Sequence, residues 1–197
     1  MVQLNTTPKR AFATPTLNAT CLNWSTDFYS ASELAAALKR LGKDFDVLQL
    51  TRGPLEEHIS IVHHSGLSIF SIETSQLLLL NGERGDDCIS FCLVSSGLHE
   101  DHRVHAHTID RYSINGFKPD ITESHFQLSA GSKTLFTVTS ARQFKTFLKR
   151  CGHQDLLEII HNSNSLKLNL QLHQATNSKL AWYLSHPIAN AQQRSLH

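Results

Sequence analysis

The sequence predicts an α+β fold: a β-sandwich or cupin-like barrel with an N-terminal helix and a C-terminal helix pair. Three observations carry this. Capped segments with a helical apolar period stand at residues 30–42 and 140–160. Between them, from 45 to 139, apolar residues recur at every second position in short runs. Clusters of Gly, Asn, Asp and Pro separate those runs at the close intervals typical of sandwiches and small barrels.

Residues 1–26 are rich in Thr, Asn, Pro and Ala and show no period, which predicts a flexible N-terminal arm. Ser30 followed by Glu33 forms a capping box. Leu34, Leu38 and Leu41 then share one face, and Gly42 stops the helix. Phe45–Leu50 is the first strand. Glu57–Val62 and Leu67–Glu73 flank "HHSG", a hairpin turn, and His63 and His64 are read as turn residues. Gln76–Leu80 runs into "NGERGDD", a polar loop whose spacing fails the calcium-loop pattern. Cys88–Val94, Arg103–Ile109, Arg111–Ile114, Ser124–Leu128 and Thr134–Thr139 complete the strands. Ser140 and Gln143 form a second capping box that opens a helix through Phe144, Phe147 and Leu148, and Gly152 ends it. Leu156, Leu157, Ile159 and Ile160 predict a second helix paired with it. Leu166, Leu168, Leu170 and Leu172 alternate and predict an extra strand, followed by one or two helical turns before Pro187. The division is therefore an arm (1–26), a β domain with flanking helices (27–161) and a C-terminal tail (162–197).

Lys and Arg number 18 against 17 Asp and Glu in 197 residues, a balance that gives no nucleic-acid or polybasic membrane footprint. The four cysteines fall at irregular spacing, with no CxxC, and Cys88 and Cys92 read as small core residues. No secretory leader and no apolar run of membrane length is readable, so a cytoplasmic location is expected. Nucleophile elbow, phosphate loop, dinucleotide fingerprint and zinc-protease motif do not occur.

The segment "YSASELAAALKRLGKDFDVLQLTRGPLEEHISIVHHSGLSIFSIETSQLLLLNGERGDDCISFCLV" and the later "FTVTSARQFKTFLKRCG" resemble the N-terminal sensor domain of AraC-type transcription regulators. The resemblance covers about residues 26–160. It implies a cupin-like barrel that binds a small effector or mediates dimerisation, with the 144–160 helices as the dimerisation element. The helix-turn-helix domain that follows in that family is not readable after residue 161, so direct DNA binding is not expected.

"HEDHRVHAH" at 99–107 carries His99, His102, His105 and His107. His105 and His107 satisfy the HxH of a cupin metal site, but the carboxylate expected several residues later is missing. Strand alternation makes this stretch a solvated outer face, and the four histidines a pH-sensitive surface. The interaction surface is assigned to Phe144, Phe147, Leu148, Leu156, Ile160, Leu166, Leu168, Leu170 and Leu172, with packing into their own domain as the alternative for the helical members.

The expected function is a non-catalytic regulatory or interaction module, a stand-alone AraC-type effector-binding or dimerisation domain. It would act through a protein partner or self-association, with a small-molecule effector but no cofactor, metal or membrane insertion. Two alternatives stand beside it: a subunit of a larger assembly that uses its terminal arms, and a metal-dependent cupin enzyme.

Overall fold

The structure, a computed structural model, describes residues 21–40, 43–83 and 87–186. In chain order it contains β1 (Cys21–Phe28), α1 (Ala31–Arg40), β2 (Phe45–Gln49), β3 (Glu57–His64), β4 (Leu67–Thr74), β5 (Leu78–Glu83) and β6 (Cys88–Ser96). There follow β7 (Arg103–Val104), β8 (His107–Thr108), β9 (Ser113–Asn115), β10 (Glu123–Leu128) and β11 (Ser132–Ser140). The chain closes with α2 (Ala141–Cys151), α3 (Asp155–Asn162), β12 (Ser165–Lys167) and α4 (Leu170–Ser185).

The fold is α+β, as expected, and is built on two antiparallel sheets. A seven-stranded sheet runs β1-β3-β4-β11-β6-β9-β12, and a five-stranded sheet runs β2-β5-β10-β7-β8. Each keeps two edge strands among the described residues, so the sheets do not close into a barrel. They face each other in a sandwich-like layout. The main core takes Ile59, Ile61, Phe70, Ile72, Cys92 and Phe136 from the larger sheet. Val47, Leu78, Leu80, Val104, Phe126 and Leu128 come from the smaller one. Alternation dictates this division, because every second side chain of a strand points to the same face.

Helix α1 packs on β2 and β1 and seals the core with Leu34, Ala37 and Leu38. Its capping box forms with one shift. Ser30 Oγ accepts from the Glu33 amide at 3.3 Å, while Glu33 Oε2 accepts from the Tyr29 amide at 3.1 Å. Leu41 and Gly42 lie outside the described residues.

The second capping box holds as read. Ser140 Oγ accepts from the Gln143 amide, and Gly152 ends α2 in the left-handed region at φ 75°. Helices α2 and α3 cover the outer face of β6 and β9 with a second core of Ile89, Phe117, Leu148 and Ile160. Phe91, Phe144, Leu156 and Leu166 pack against it.

Three sequence expectations are corrected here. The arm does not extend to residue 26, because β1 starts at Cys21 and pairs with β3 along its whole length. Leu22 and Phe28 bury into the core and Trp24 packs against it, an alternation hidden among polar residues. Residues 1–20 lie outside the described residues. The strand read over Arg103–Ile109 is instead two short strands joined by a tight turn. His105 and Ala106 form it, with φ 51° and 64°. The alternating leucines do not form one strand. β12 stops at Lys167, and Asn169 Oδ1 caps α4 by accepting from the Leu172 amide at 2.8 Å. Leu170 and Leu172 therefore stand in the first turn of a 16-residue helix. That helix lies against β3 and β4.

Hairpin β3–β4 turns at Ser65–Gly66, with φ 50° and 83°, so His63 and His64 end the strand rather than make the turn. "NGERGDD" begins inside β5, and residues 84–86 lie outside the described residues. Gly97, at φ 68°, takes the left-handed conformation where a Cβ would collide with the Gly131 carbonyl oxygen. This close approach shapes one wall of the site described next.

Candidate functional site

The tight turn disperses the four histidines. His99 and His107 are exposed. The His105 ring tilts over Phe126 at 5.6 Å. His102 is fully buried, so it does not belong to a pH-sensitive surface. Its amide donates to the His99 carbonyl at 3.1 Å, and its Nδ1 accepts from the Ser129 amide at 3.3 Å. Burial lowers its pKa to about 4; nearby Asp101 opposes this and His99 adds to it. Strand alternation does not apply, because the stretch is a bend followed by a two-residue turn, and alternation holds only in a continuous strand. Among the described residues, no group of three or more His, Cys, Asp or Glu side chains is placed to hold a metal.

Of the residues assigned to an interaction surface, Leu148, Ile160 and Leu168 are buried. Phe144, Leu156 and Leu166 pack against the second core. Phe147, Leu170 and Leu172 remain exposed, and they are joined by Ile159 and Trp182, which the sequence reading had not assigned to the surface. These five sit on α2, α3 and α4.

A mainly apolar cleft of about 310 Å³ opens into the core near the β3–β4 turn, among Leu38, Ile59, Ile61, Phe70 and Val138. About 30 Å³ is free among Phe45, Phe70, Leu80, Phe126 and Phe136, room for a water or two. A drug-sized molecule needs roughly 300–1,000 Å³. An open, more polar groove of about 530 Å³ lies at one end of the seven-stranded sheet.

Strand register builds that groove from two rows. The outer row is Asp27, His58, Glu73 and Lys133, on β1, β3, β4 and β11. His58 Nδ1 meets Asp27 Oδ1 at 2.6 Å, and Lys133 Nζ meets Glu73 Oε1 at 2.5 Å. His58 Nε2 lies 2.9 Å from Ser25 Oγ and 3.1 Å from Ser60 Oγ. This is the order of hydroxyl, imidazole and carboxylate used in nucleophilic catalysis. Here, however, it lies on an exposed sheet face, with two hydroxyls sharing one ring nitrogen.

The inner row is Phe28, Glu57, Thr74 and Ser132. Glu57 has the same phase as Ile59 and Ile61, so its carboxyl points to the core side at the mouth of the sandwich. The residue is 3% exposed, and neither carboxyl oxygen has a hydrogen-bond partner; Ser132 Oγ lacks one too. Thr74 Oγ1 is satisfied by donating to the Gln76 carbonyl at 2.8 Å. Burial first, and then the Glu33 carboxylate, raise the Glu57 pKa to about 8. From the sequence, Glu57 reads only as the first residue of a strand. The signal for it was a carboxylate in phase with two isoleucines.

The fold and site define a two-sheet α+β protein with a polar groove built around a buried carboxyl. Comparison of the chain with protein-family models, with curated proteins and with solved structures gave no match. Among the described residues no helix is long and apolar enough to cross a membrane.

Proposed function

We propose that the chain is a non-catalytic regulatory or interaction module, of the effector-binding and dimerisation type seen in AraC-type regulators, acting through protein–protein contacts. The observation that carries this reading is the placement of Phe147, Ile159, Leu170, Leu172 and Trp182, all exposed on the helices that cover one side of the larger sheet. Large apolar side chains gathered on one side suit association. The two open sheets support a sandwich-like layout and not the closed barrel that the resemblance implies. The groove offers an effector a polar place at the sheet end.

Light scattering on a sizing column tests the association. The wild type is expected to self-associate, and Leu172→Asp and Phe147→Asp are expected to weaken this about tenfold or more. An Asp in the first turn of α4 favours the helix dipole, so loss of association in Leu172→Asp would not reflect a melted helix. A strictly monomeric wild type at high concentration would remove self-association from the proposal.

The Ser25–His58–Asp27 chain gives the non-catalytic part its own test. A fluorophosphonate probe is expected to leave Ser25 unlabelled, because among the described residues nothing encloses an acyl group on that face. Labelling at Ser25 that disappears in His58→Ala would overturn the non-catalytic reading.

A further inference from the structure

We infer that the groove at the end of the seven-stranded sheet binds a small organic cation, an ammonium or guanidinium compound, seated on Glu57 and Ser132. This rests on the effector-binding half of the proposed function and names the effector's class. Four carboxylates line the groove, those of Asp27, Glu56, Glu57 and Glu73, against one lysine and one histidine. The lysine is engaged by Glu73 and the histidine by Asp27. Acidity alone would not make a site, but the floor of this groove is unusual. Three buried polar atoms, the two Glu57 carboxyl oxygens and Ser132 Oγ, have no partner. Buried polar atoms are ordinarily paired.

A ligand that satisfies all three must bring several N–H or O–H donors. A guanidinium presents two parallel N–H groups to one carboxylate, and an ammonium presents three donors. A metal ion asks for several converging ligands, and the described residues bring no such set together. Tyr29, largely exposed at the groove, offers a ring face to a cation or its alkyl chain. The volume of about 530 Å³ suits a molecule of this size.

The chemistry of Glu57 gives the site a signature. In the empty groove burial keeps the carboxyl protonated near neutral pH. A bound cation takes the place of that proton, so binding releases it. Glu57 titrates among Asp27, Glu33, Glu56, Glu73, His58 and Lys133, and of these Glu33 adds to the upward shift that burial causes.

Titration calorimetry with agmatine, with spermidine as a second probe and neutral butylurea as control, tests the inference on the full chain. In buffers of different ionisation enthalpy, about one proton is expected to leave per agmatine bound near pH 7. Affinity is expected to rise close to tenfold from about pH 6.5 to 7.5. Glu57→Gln is expected to bind at least about tenfold more weakly and to release no proton. Asp46→Asn, in a separate acidic depression beside Asp44 and Glu123, is expected to bind as the wild type does. No heat from either cation up to about 10 mM would overturn the inference. So would equal binding by Glu57→Gln, or binding of butylurea as tight as that of agmatine. Self-association is read in a different experiment, so failure here leaves the proposed function standing on its own test.

Discussion

Truncating Phe126 to alanine is expected to destabilise the protein by about 3–5 kcal/mol, read as a lowered urea midpoint with an unchanged slope. Phe126 lies on β10 of the smaller sheet, and its ring reaches Phe136 on β11 of the larger sheet edge-on at 5.3 Å. Phe136 in turn stacks on Phe70 at 4.8 Å, and Phe45 meets Phe126 at 6.3 Å. One aromatic column therefore joins the two layers. Backbone ladders hold β10 between β5 and β7, so the layers cannot close over the hole. The cost then includes a cavity as well as lost burial. Whole-domain stability is typically about 5–15 kcal/mol, so this single change removes a large share. A loss below about 1 kcal/mol would show that the sheets repack freely and that the column does not join them.

Stability is expected to fall as pH rises from about 6.5 to 8, at up to about 1.4 kcal/mol per unit, and Glu57→Gln is expected to abolish that fall. In the unfolded chain the Glu57 carboxyl loses its proton near 4.5, whereas in the folded protein it keeps it to about 8. Between those values the folded state holds the extra proton, and raising the pH favours unfolding. His102 acts in the opposite sense: ordinarily near 6.5, it is held to about 4 by burial. Between those values the unfolded state holds the extra proton, and raising the pH favours folding. The two effects oppose each other from about 4.5 to 6.5 and leave Glu57 uncovered above that range. His63 and His173 are also lowered by burial and act in the same sense as His102. At pH 8 the Glu57→Gln protein is expected to exceed the wild type by on the order of 2–4 kcal/mol. Equilibrium denaturation at four or five pH values checks this, and a wild-type slope that survives in Glu57→Gln would assign it to another group.

Much of the fold is readable locally. The caps of α2, Ser140 with Gln143 and the terminal Gly152, require only a hydroxyl, an amide and a left-handed glycine at fixed spacing. Strands β3 and β4 follow from plain alternation around Ser65–Gly66. Strand β1 is harder to read, because Leu22, Trp24 and Phe28 are interrupted by polar residues and its partners on β3 lie 29 to 43 positions away. Helix α4 was obscured by leucines at every second position. Asn169 ends that strand pattern, and a cap can be distinguished from a polar strand residue only when its oxygen meets an amide.

The site was less legible, for a related reason. The histidines of "HEDHRVHAH" cluster in the sequence, yet the chain bends and turns there, and His102 is buried while His99 and His107 stay outside. Glu57 belongs to no motif, although its phase with Ile59 and Ile61 is legible in the sequence.

The succession of strands β2 to β6, the caps of α1 and α2, the β3–β4 hairpin and the buried phase of Glu57 are properties of local sequence, set by backbone geometry and side-chain period. The pairing of Asp27, His58, Glu73 and Lys133 in one row, and of Glu57, Thr74 and Ser132 in the next, came only with tertiary structure. Cross-strand register joins residues tens of positions apart. It is settled by how the two sheets and their helices bury apolar surface together, and not by any one segment alone.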